Sequence, residues 1–498
     1  MQRASRVPSQ RLAWVRAPVA NLELWPVLAL LVVYALVYIQ FATQLAAFPF
    51  DLDQGEGYDA WSGWLINLGQ LPYTSNGSFP YYSSNYPPLW SYLVSIPMAW
   101  FGPGLAAARI VSTLSALATA VVLGIAAHRL TRRAVAGVLA GGFFLASPYV
   151  FHTTPLARVN SLELLAAVLA LSLIDVQLTR WRVILASLAL AAALFTKPTA
   201  IDVAAACLAS VFLRQPRLGL AMLGFVAGLG AVGFAGMMLV SGGAFWLNVV
   251  AANANPFDPA QLGEYLSNFT VLHCVLLALA TAQSVAMVWR RHWSPWALYA
   301  ITAGISALGV AKWGAGESYF LGVIAATCVL SAVWIGRFLD SAPSAGVRLG
   351  LGAAVLIQGL LLSHAALSSM LPWLPDRGPQ SAFLGRAPTL EDREAGQLIT
   401  AEVRGLRGPA LSEDPSFAVV AGKPLVGNAT HLRNLYQSGL WDPTPMVNDL
   451  RNHRYAIVIL DAELYPDPVL AAIGQFYFLD RSVRVNGATY RLFLPGGQ

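Results

Sequence analysis

The sequence predicts an α-helical polytopic membrane protein with a small α/β domain at its C-terminal end. Of its 498 residues, 56% are hydrophobic and only 11% are charged, whereas roughly a quarter are charged in a typical soluble protein. Apolar runs of about 20 residues, the length that crosses a bilayer, recur through the first three-quarters of the chain. Arginines alternate between the segments that connect these runs, and the last quarter of the chain differs in composition.

The N-terminal segment 1–24 is predicted to be a basic cytoplasmic tail in front of an uncleaved first helix. It carries four arginines, and the apolar run that starts near Trp25 lacks a small-residue cleavage site. A transmembrane domain of about eleven spans follows over 25–370. Two spans around Lys197 and Pro198 could form one interrupted helix, because proline breaks the backbone ladder. The predicted spans are 25–47, 105–127, 134–151, 160–178, 182–196, 199–213, 217–240, 268–288, 295–311, 318–336 and 348–370.

The arginines predict the orientation of these spans. Fifteen arginines fall in the N-terminal segment and in one alternating set of connections, which the positive-inside rule places in the cytoplasm. The opposite connections contain only Arg158, Lys197 and Lys312 as basic residues. An odd number of spans then puts the tail, 371–498, outside a plasma membrane of bacterial type.

The tail is predicted to be an extracytoplasmic α/β domain. It contains thirteen of the 25 acidic and twelve of the 31 basic residues. Strand-like runs at 455–460 and 490–494 accompany helical patterns at 428–438 and 444–453. Without a glycine-rich phosphate loop, this domain reads as a structural cap or an acceptor-docking surface rather than a second active site.

Composition also excludes one class of partner. The net charge is +6, but no basic cluster with interleaved aromatics is present, so a nucleic-acid partner is not expected. Cys207, Cys274 and Cys328 lie far apart in apolar segments without metal-ligand spacing. They are expected to fill the core.

The first outer loop, 48–104, carries the most informative motif. Four carboxylates fall within nine residues, and the 57-residue loop has no lysine or arginine. Crowded carboxylates raise one another's pKa unless a cation or a substrate hydroxyl offsets the repulsion. Neighbouring glycines and aromatics suit a carbohydrate pocket, although a solvated acidic turn that caps a helix is the alternative. The four carboxylates are Asp51, Asp53, Glu56 and Asp59.

Later in the same loop, the run 89–101 follows two prolines and has an amphipathic pattern. This pattern is typical of a helix in the membrane interface, with Trp90, Tyr92 and Trp100 at headgroup depth. Such a helix could guide a lipid tail or serve as scaffold.

The three basic residues of the outer connections lie at the predicted depth of the acidic loop. They could form structural ion pairs with its carboxylates or bind a phosphate or diphosphate. Together these groups suggest a sugar transfer in which a carboxylate deprotonates an acceptor hydroxyl, which then attacks the anomeric carbon of a lipid-phosphate sugar. Basic side chains would stabilise the charge on the departing phosphate.

These residues and four further motifs resemble the bacterial GT-C glycosyltransferases related to protein O-mannosyltransferases and lipid A aminoarabinose transferases. The similarity spans about 25–370, and the order and spacing of the motifs carry it. The resemblance implies a catalytic carboxylate in the first loop, a polyprenyl-phosphate-sugar donor, inversion at the anomeric carbon and an outer C-terminal domain. The motifs are Gly69–Tyr73, Tyr86–Leu89, Ala108–Arg109 and Leu156–Asn160, after the acidic segment Asp53–Gly57.

Position by position, the resemblance makes Asp53 the first choice for the base. Glu56 is second, as a base or as a partner in a metal site, so a divalent metal ion stays open with these two as candidate ligands. Arg158 and Lys312 resemble donor-phosphate contacts. Asn160 stands where the family often has aspartate, which leaves Arg158 with one fewer expected counter-ion. The full set of expected substrate contacts is Asp51, Asp59, Tyr58, Tyr86, Arg109, Arg158, Asn160, Lys197, Lys312, Glu317 and Tyr319.

The expected partners are a polyprenyl-phosphate-linked sugar donor, a lipid, glycan or protein acceptor, and the bilayer. Two other classes share this pattern. A polymerase or ligase of lipid-linked glycans would have the same topology and anion site, and a transporter or flippase would also have an interrupted helix. A third alternative is a membrane protein that only displays its outer domain. In that case, neutralising Asp53 would have no effect on any sugar transfer.

Overall fold

The computed structural model describes residues 19–253, 255–341, 344–368 and 387–496. Sixteen α-helices make up the N-terminal three-quarters of this part of the chain. They are α1 Trp25–Ala46, α2 Glu56–Asn67, α3 Leu89–Phe101, α4 Leu105–Thr131, α5 Ala134–Ala146, α6 Pro148–Thr153, α7 Asn160–Ile174, α8 Arg180–Leu194, α9 Ile201–Arg214, α10 Pro216–Val240, α11 Ala244–Val249, α12 Pro259–Leu272, α13 Cys274–Trp289, α14 Pro295–Ala307, α15 Leu321–Asp340 and α16 Ala345–Ser368. Short 3₁₀ turns lie at Val19–Leu24, Pro198–Ala200, Ala251–Asn253, Leu308–Ala311 and Glu317–Phe320.

Helix α15 lies at the centre of the bundle, where it packs against α4, α5, α7, α13 and α14. The most apolar 18-residue stretch of this helix and the turn before it is 83% buried inside the protein, whereas the corresponding stretch of α10 is 6% buried. Helix α10 therefore lies at the periphery and turns most of its surface to lipid. Glycines let α4 and α5 approach closely. A Cβ on Gly137 would lie 2.8 Å from the Gly124 carbonyl oxygen, and one on Gly141 would lie 2.7 Å from that of Ala120. Small residues at this spacing are typical of packed transmembrane helices.

The helices confirm a multi-pass membrane protein, while the number of spans stays a prediction. Each of the eleven predicted spans overlaps a helix, but five helices in the described part of the chain are long and apolar enough to cross a membrane. A sixth span results if α12 and α13, which are bent by 85° at their junction, are counted together. At Lys197 the chain is interrupted as expected, since α8 ends at Leu194 and α9 begins at Ile201.

The arginine-bearing connections meet at one end of the bundle. Arg133 pairs with Asp340 at 2.6 Å, which joins the α4–α5 turn to the end of α15. Arg214 donates to the carbonyl oxygens of Ile174 and Val176 at 2.6 and 2.7 Å. Charged groups therefore satisfy helix ends on this side, and the connections that contain Arg158, Lys197 and Lys312 belong to the opposite ends of the helices.

The first outer loop folds into α2 and α3 beside the N-terminal part of α4. The predicted helix at 89–101 is confirmed, but the prediction for Trp90 is wrong. Its side chain is 1% exposed because it packs inward with Ala60 and Ala108, whereas Tyr92 and Trp100 are exposed.

The C-terminal part is a small α/β unit, as predicted. A four-stranded sheet has the order β1-β2-β4-β3, in which β1 is parallel to β2 and the other pairs are antiparallel. Both predicted helices and both predicted strands are present, and β1 and β3 are strands that the sequence patterns missed. The predicted domain boundary at 370/371 lies outside the described residues. The elements are α17 Leu390–Gly405, β1 Ala410–Ser412, α18 Pro415–Val420, α19 Ala429–Gln437, α20 Thr444–Arg451, β2 Ile457–Leu460, α21 Asp467–Phe476, β3 Tyr477–Val485 and β4 Ala488–Pro495.

Buried hydrogen bonds attach this unit to the first outer loop and to α11. Asn248 on α11 accepts from Asn76 Nδ2 at 2.7 Å and lies 2.6 Å from His431 Nε2. Trp441 Nε1 donates to the Asn76 carbonyl oxygen at 2.6 Å. Because paired polar groups fix geometry when they are buried, the C-terminal unit has a defined position over the helix ends.

Candidate functional site

A cavity of about 810 Å³ lies between the first outer loop, the ends of several helices and the C-terminal unit. Ten of the thirteen predicted site residues line it. These are Asp53, Tyr58, Asp59, Tyr86, Arg158, Asn160, Lys197, Lys312, Glu317 and Tyr319. The remaining three, Asp51, Glu56 and Arg109, lie away from it. The sequence patterns thus located this cavity, but they did not distinguish the residues that line it from those that hold the surrounding loop in place.

Arg158 holds two of the loop carboxylates at the cavity. Its Nη1 lies 3.3 Å from Asp53 Oδ2, and its Nε lies 3.1 Å from Asp59 Oδ2. The Asp53 side chain is 37% exposed, whereas that of Asp59 is 5% exposed. Asp53 is therefore the carboxylate of this pair that a substrate can reach.

Gly55 makes this arrangement possible. Its φ of +125° is rarely adopted by residues with a side chain, and a Cβ here would lie 2.1 Å from Arg158 Nη1. The glycine lets the loop backbone approach the guanidinium, whose Nη1 also donates to the Gln54 carbonyl oxygen at 3.2 Å.

The two carboxylates of this pair are easier to protonate than ordinary aspartates. Burial raises the pKa of Asp53, although Arg158 opposes the rise. Burial likewise raises the pKa of Asp59 to about 7, against the effect of Arg158. Burial disfavours the charge of Arg158, but Asp59 and Asp53 outweigh it and hold the pKa of Arg158 above its usual value. Perturbed carboxylates at a cavity are typical of acid–base sites.

Glu56 and Arg109 form a separate, closed pair, which corrects two expectations. Both side chains are 0% exposed, and Arg109 Nη2 lies 2.7 Å from Glu56 Oε2. Glu56 also accepts from the backbone N–H groups of Leu52 and Ala157. Burial alone would raise the pKa of Glu56, but Arg109 and these hydrogen bonds hold it below its usual value. Glu56 is therefore an ionised anchor without access to a substrate, and Arg109 is its partner rather than a substrate contact.

Asp51 faces the C-terminal unit. Its carboxylate accepts from the Gly57 N–H at 3.2 Å, and its own N–H donates to Ser416 Oγ at 3.1 Å. Burial and then Asp414 raise its pKa well above the usual value. Tyr58 lines the cavity, and its hydroxyl lies 3.3 Å from the carbonyl oxygens of both Ser412 and Glu413, to which it can donate. These two residues join the loop to the domain above it.

Lys197 has a neutral partner, which corrects the expected effect of Asn160. Its Nζ donates to Asn160 Oδ1 at 2.9 Å and lies 5.0 Å from the centre of the Tyr319 ring. Asparagine in place of aspartate therefore leaves Lys197, and not Arg158, without a carboxylate in contact. Burial lowers the pKa of Lys197. Lys312 also lines the cavity, and neither lysine forms an ion pair with a described residue.

The C-terminal unit supplies part of the wall, which the sequence patterns did not identify. Asn428, Thr430 and Asn434 of the α19 region line the cavity, as do Ala462 and Leu464. Nothing in their spacing marks them as site residues, because isolated neutral polar residues are common on any helix. Within the described ranges, no group of three or more His, Cys, Asp or Glu side chains is placed to hold a metal ion.

No family model matches the sequence, and the comparison with curated proteins gave no match. Solved structures do resemble it. ArnT from Cupriavidus metallidurans bound to undecaprenyl phosphate superposes with a TM-score of 0.59 and 15% identity, over 95% of this chain and 99% of that one. An oligosaccharyltransferase from Archaeoglobus fulgidus in the apo form gives 0.54 and 13% identity, over 91% and 73%. The same organism's AglB, in complex with an inhibitory peptide and a dolichol-phosphate, gives 0.51 and 13% identity, over 92% and 73%.

At such low identities the similarity concerns the fold. ArnT and AglB are both GT-C superfamily enzymes, and the likeness extends over nearly the whole length of this chain, including its C-terminal unit. The chain has the GT-C fold.

Proposed function

We propose that the chain is a membrane glycosyltransferase that moves a monosaccharide from a polyprenyl-phosphate carrier to an acceptor on the outer face of the membrane, with inversion of the anomeric carbon. One observation carries this proposal. An accessible carboxylate, Asp53, shares a single cavity with Lys197 and Lys312, two lysines that form no ion pair with a described residue. This combination suits deprotonation of a hydroxyl together with departure of a phosphate.

Asp53 is the proposed base. Of the four loop carboxylates, it is the most exposed, and its raised pKa makes it a stronger proton acceptor once it is ionised. Arg158 fixes its position from one side. Asp59 is too buried to meet an acceptor and acts through Arg158 as a positioning residue.

Lys197, Lys312 and Arg158 are the proposed contacts of the donor phosphate. A buried cation in a membrane protein is costly unless it has a partner or a function. Lys197 is 7% exposed, and its contacts are the Asn160 amide and the Tyr319 ring, with no ion pair to a described residue. The carboxylates of Glu163 and Asp202 favour its charged form, and a bound phosphate would bring a counter-charge into direct contact and raise the pKa of Lys197 toward its ordinary value. The carrier bound in the ArnT structure, undecaprenyl phosphate, has this chemistry.

The location of the arginines supports the proposed orientation in the membrane. The arginine-bearing connections lie at the end of the bundle opposite the cavity, which by the positive-inside rule supports an N-terminus in the cytoplasm and a cavity that lies outside with the C-terminal unit. A flippase is less well supported, because the charged groups of the cavity lie at helix ends rather than along a path through the bundle.

The test uses the full-length protein, radiolabelled polyprenyl-phosphate sugars and a membrane lipid extract. Asp53→Asn is expected to lower label transfer by about 100- to 10,000-fold, the usual contribution of a general base, while the protein stays folded. Asp480→Asn, an exposed aspartate on β3, is the matched control and should transfer at the wild-type rate.

Three outcomes separate the alternatives. Transfer retained in Asp53→Asn contradicts the base assignment. Release of a carrier diphosphate instead of a monophosphate identifies a polymerase or ligase of lipid-linked glycans. A wild-type protein that does not bind undecaprenyl phosphate contradicts the proposed donor class.

A further inference from the structure

We propose that an amide wall, formed by Asn253, Asn255, Asn428, Thr430 and Asn434, binds the hydroxyl groups of an uncharged saccharide in the cavity. The proposal rests on the proposed function and extends it to the class of group that is recognised. None of its five residues has a catalytic or phosphate-binding assignment.

These residues form one continuous surface. The 3₁₀ turn that contains Asn253 packs against α19. Thr430 and Asn434 lie one helical turn apart on α19 and therefore share a face, and Asn428 begins the helix as its N-cap. Asn255 Nδ2 donates to the Trp313 carbonyl oxygen at 2.8 Å, and the Arg433 guanidinium lies over the Trp313 ring at 5.0 Å.

Two amide oxygens of the wall lack a partner. Asn255 Oδ1 and Asn434 Oδ1 are buried, and neither has a hydrogen-bond partner among the described residues. A buried unpaired acceptor is unfavourable, so each oxygen favours a ligand that can donate. For Asn255 the direction of the amide is fixed, because its Nδ2 is already bonded to Trp313.

The absence of charged side chains among these residues restricts the chemical class of the ligand further. Every residue that the C-terminal unit contributes to the cavity, in the part of the chain that is described, has a neutral side chain. A phosphate or carboxylate would place its own lone pairs against the amide oxygens, whereas a hydroxyl both donates and accepts. Saccharides present several such hydroxyls at close spacing, so an uncharged saccharide fits this wall better than an anionic group.

The saccharide could be the sugar on the carrier or part of the acceptor, and binding experiments separate these sources. The full-length protein in nanodiscs is titrated with undecaprenyl phosphate and with undecaprenyl-phosphate mannose, and its binding to an array of uncharged and sialylated glycans is measured. The variants are Asn434→Ala, whose side chain makes no hydrogen bond to a described residue, and the double variant Asn255→Ala with Asn434→Ala. Asn448→Ala on α20, an exposed position outside the cavity, is the control.

We expect the double variant to weaken saccharide binding about tenfold and Asn434→Ala about threefold, the usual effect of losing one or two hydrogen bonds. Binding of undecaprenyl phosphate should not change. Weaker binding of undecaprenyl-phosphate mannose alone assigns the wall to the donor sugar, and weaker binding of uncharged glycans assigns it to the acceptor.

Two results overturn the inference: a double variant that binds every saccharide probe like the wild type, or a preference for sialylated over uncharged glycans. Both leave the proposed function in place if undecaprenyl phosphate still binds. Failure of the wild type to bind undecaprenyl phosphate counts against the proposed function instead, and the glycan array still decides on the wall.

Discussion

Two arginine–carboxylate centres, built from neighbouring stretches of the chain, differ in almost every physical respect. Arg109 and Glu56 are completely buried, and every polar atom of the Glu56 carboxylate has a donor. Arg158 with Asp53 and Asp59 borders a cavity, and Asp53 is more than a third exposed. The pKa of Glu56 is lowered, whereas those of Asp53 and Asp59 are raised.

The difference teaches that carboxylates three residues apart can have opposite tasks. The closed centre joins the end of α1, the first outer loop and the segment before α7, because Arg109 also donates to the carbonyl oxygens of Leu45 and Phe50. The open centre leaves charge and space for a substrate. We therefore expect the stability of the fold to depend mainly on the first centre and the proposed sugar transfer on the second.

The largest effect is expected from breaking the closed centre. Glu56→Ala leaves the Arg109 charge buried without its carboxylate, which should lower the free energy of unfolding by about 3–5 kcal/mol. Asp53→Ala leaves Arg158 with Asp59 and partial exposure, so its cost should be at most about 1 kcal/mol. Thermal and denaturant unfolding of the two purified variants measure both values, and equal losses would contradict the division between the centres.

A second prediction concerns the open centre alone. Gly55→Ala should lower sugar transfer by about 100-fold, because a Cβ would displace the Arg158 guanidinium from the carboxylates it positions. Gly69→Ala is the matched control, since Gly69 also has a positive φ, of +71°, but a Cβ added there would meet no atom within 4 Å. The transfer rates of the two folded variants separate the effect of backbone strain at a positive φ from the effect of displacing the Arg158 guanidinium. Equal rates for both would show that Arg158 does not depend on the glycine.

The smallest effect is expected from pH. The pKa of the proposed base Asp53 is raised, and that of Asp59, which positions Arg158, is raised to about 7. Protonation of Asp59 removes a charge that holds Arg158, so transfer should begin to fall as the pH drops below about 7, rather than only near the ordinary aspartate pKa of about 4. The pKa of Glu56 is lowered, so it stays ionised throughout and contributes nothing to the profile. Rates measured from pH 5 to pH 9 test this, and Asp59→Asn should move the fall to lower pH. A flat profile would contradict the assignment.

Much of the fold and the location of the cavity could be predicted, because both depend on features that stand out along the sequence. Apolar runs became helices, and the few basic residues of the outer connections, Arg158, Lys197 and Lys312, all line the cavity. Strand β3 escaped detection because its exposed charges, including Asp480 and Arg481, hide the alternation of a strand.

The division of the carboxylates could not be predicted, because it is decided by distant partners. Arg109 is 53 residues from Glu56, and Ser416 is 365 residues from Asp51. Likewise, the sequence predicts that asparagine at position 160 deprives the nearby Arg158 of a counter-ion. In the structure Asn160 instead accepts a hydrogen bond from Lys197 across a helix end. The roles of the individual site residues stay predictions that the variants above test.

The wall that the C-terminal unit contributes has a consequence for biosynthesis. The residues that line the cavity extend along the chain from Asp53 to Leu464. The hydroxyl of Tyr58 finds its partner Ser412 only 354 residues later. A nascent or prematurely terminated chain can therefore carry the acidic loop without a closed cavity, so the order of translation delays completion of the site until Leu464 has been synthesised.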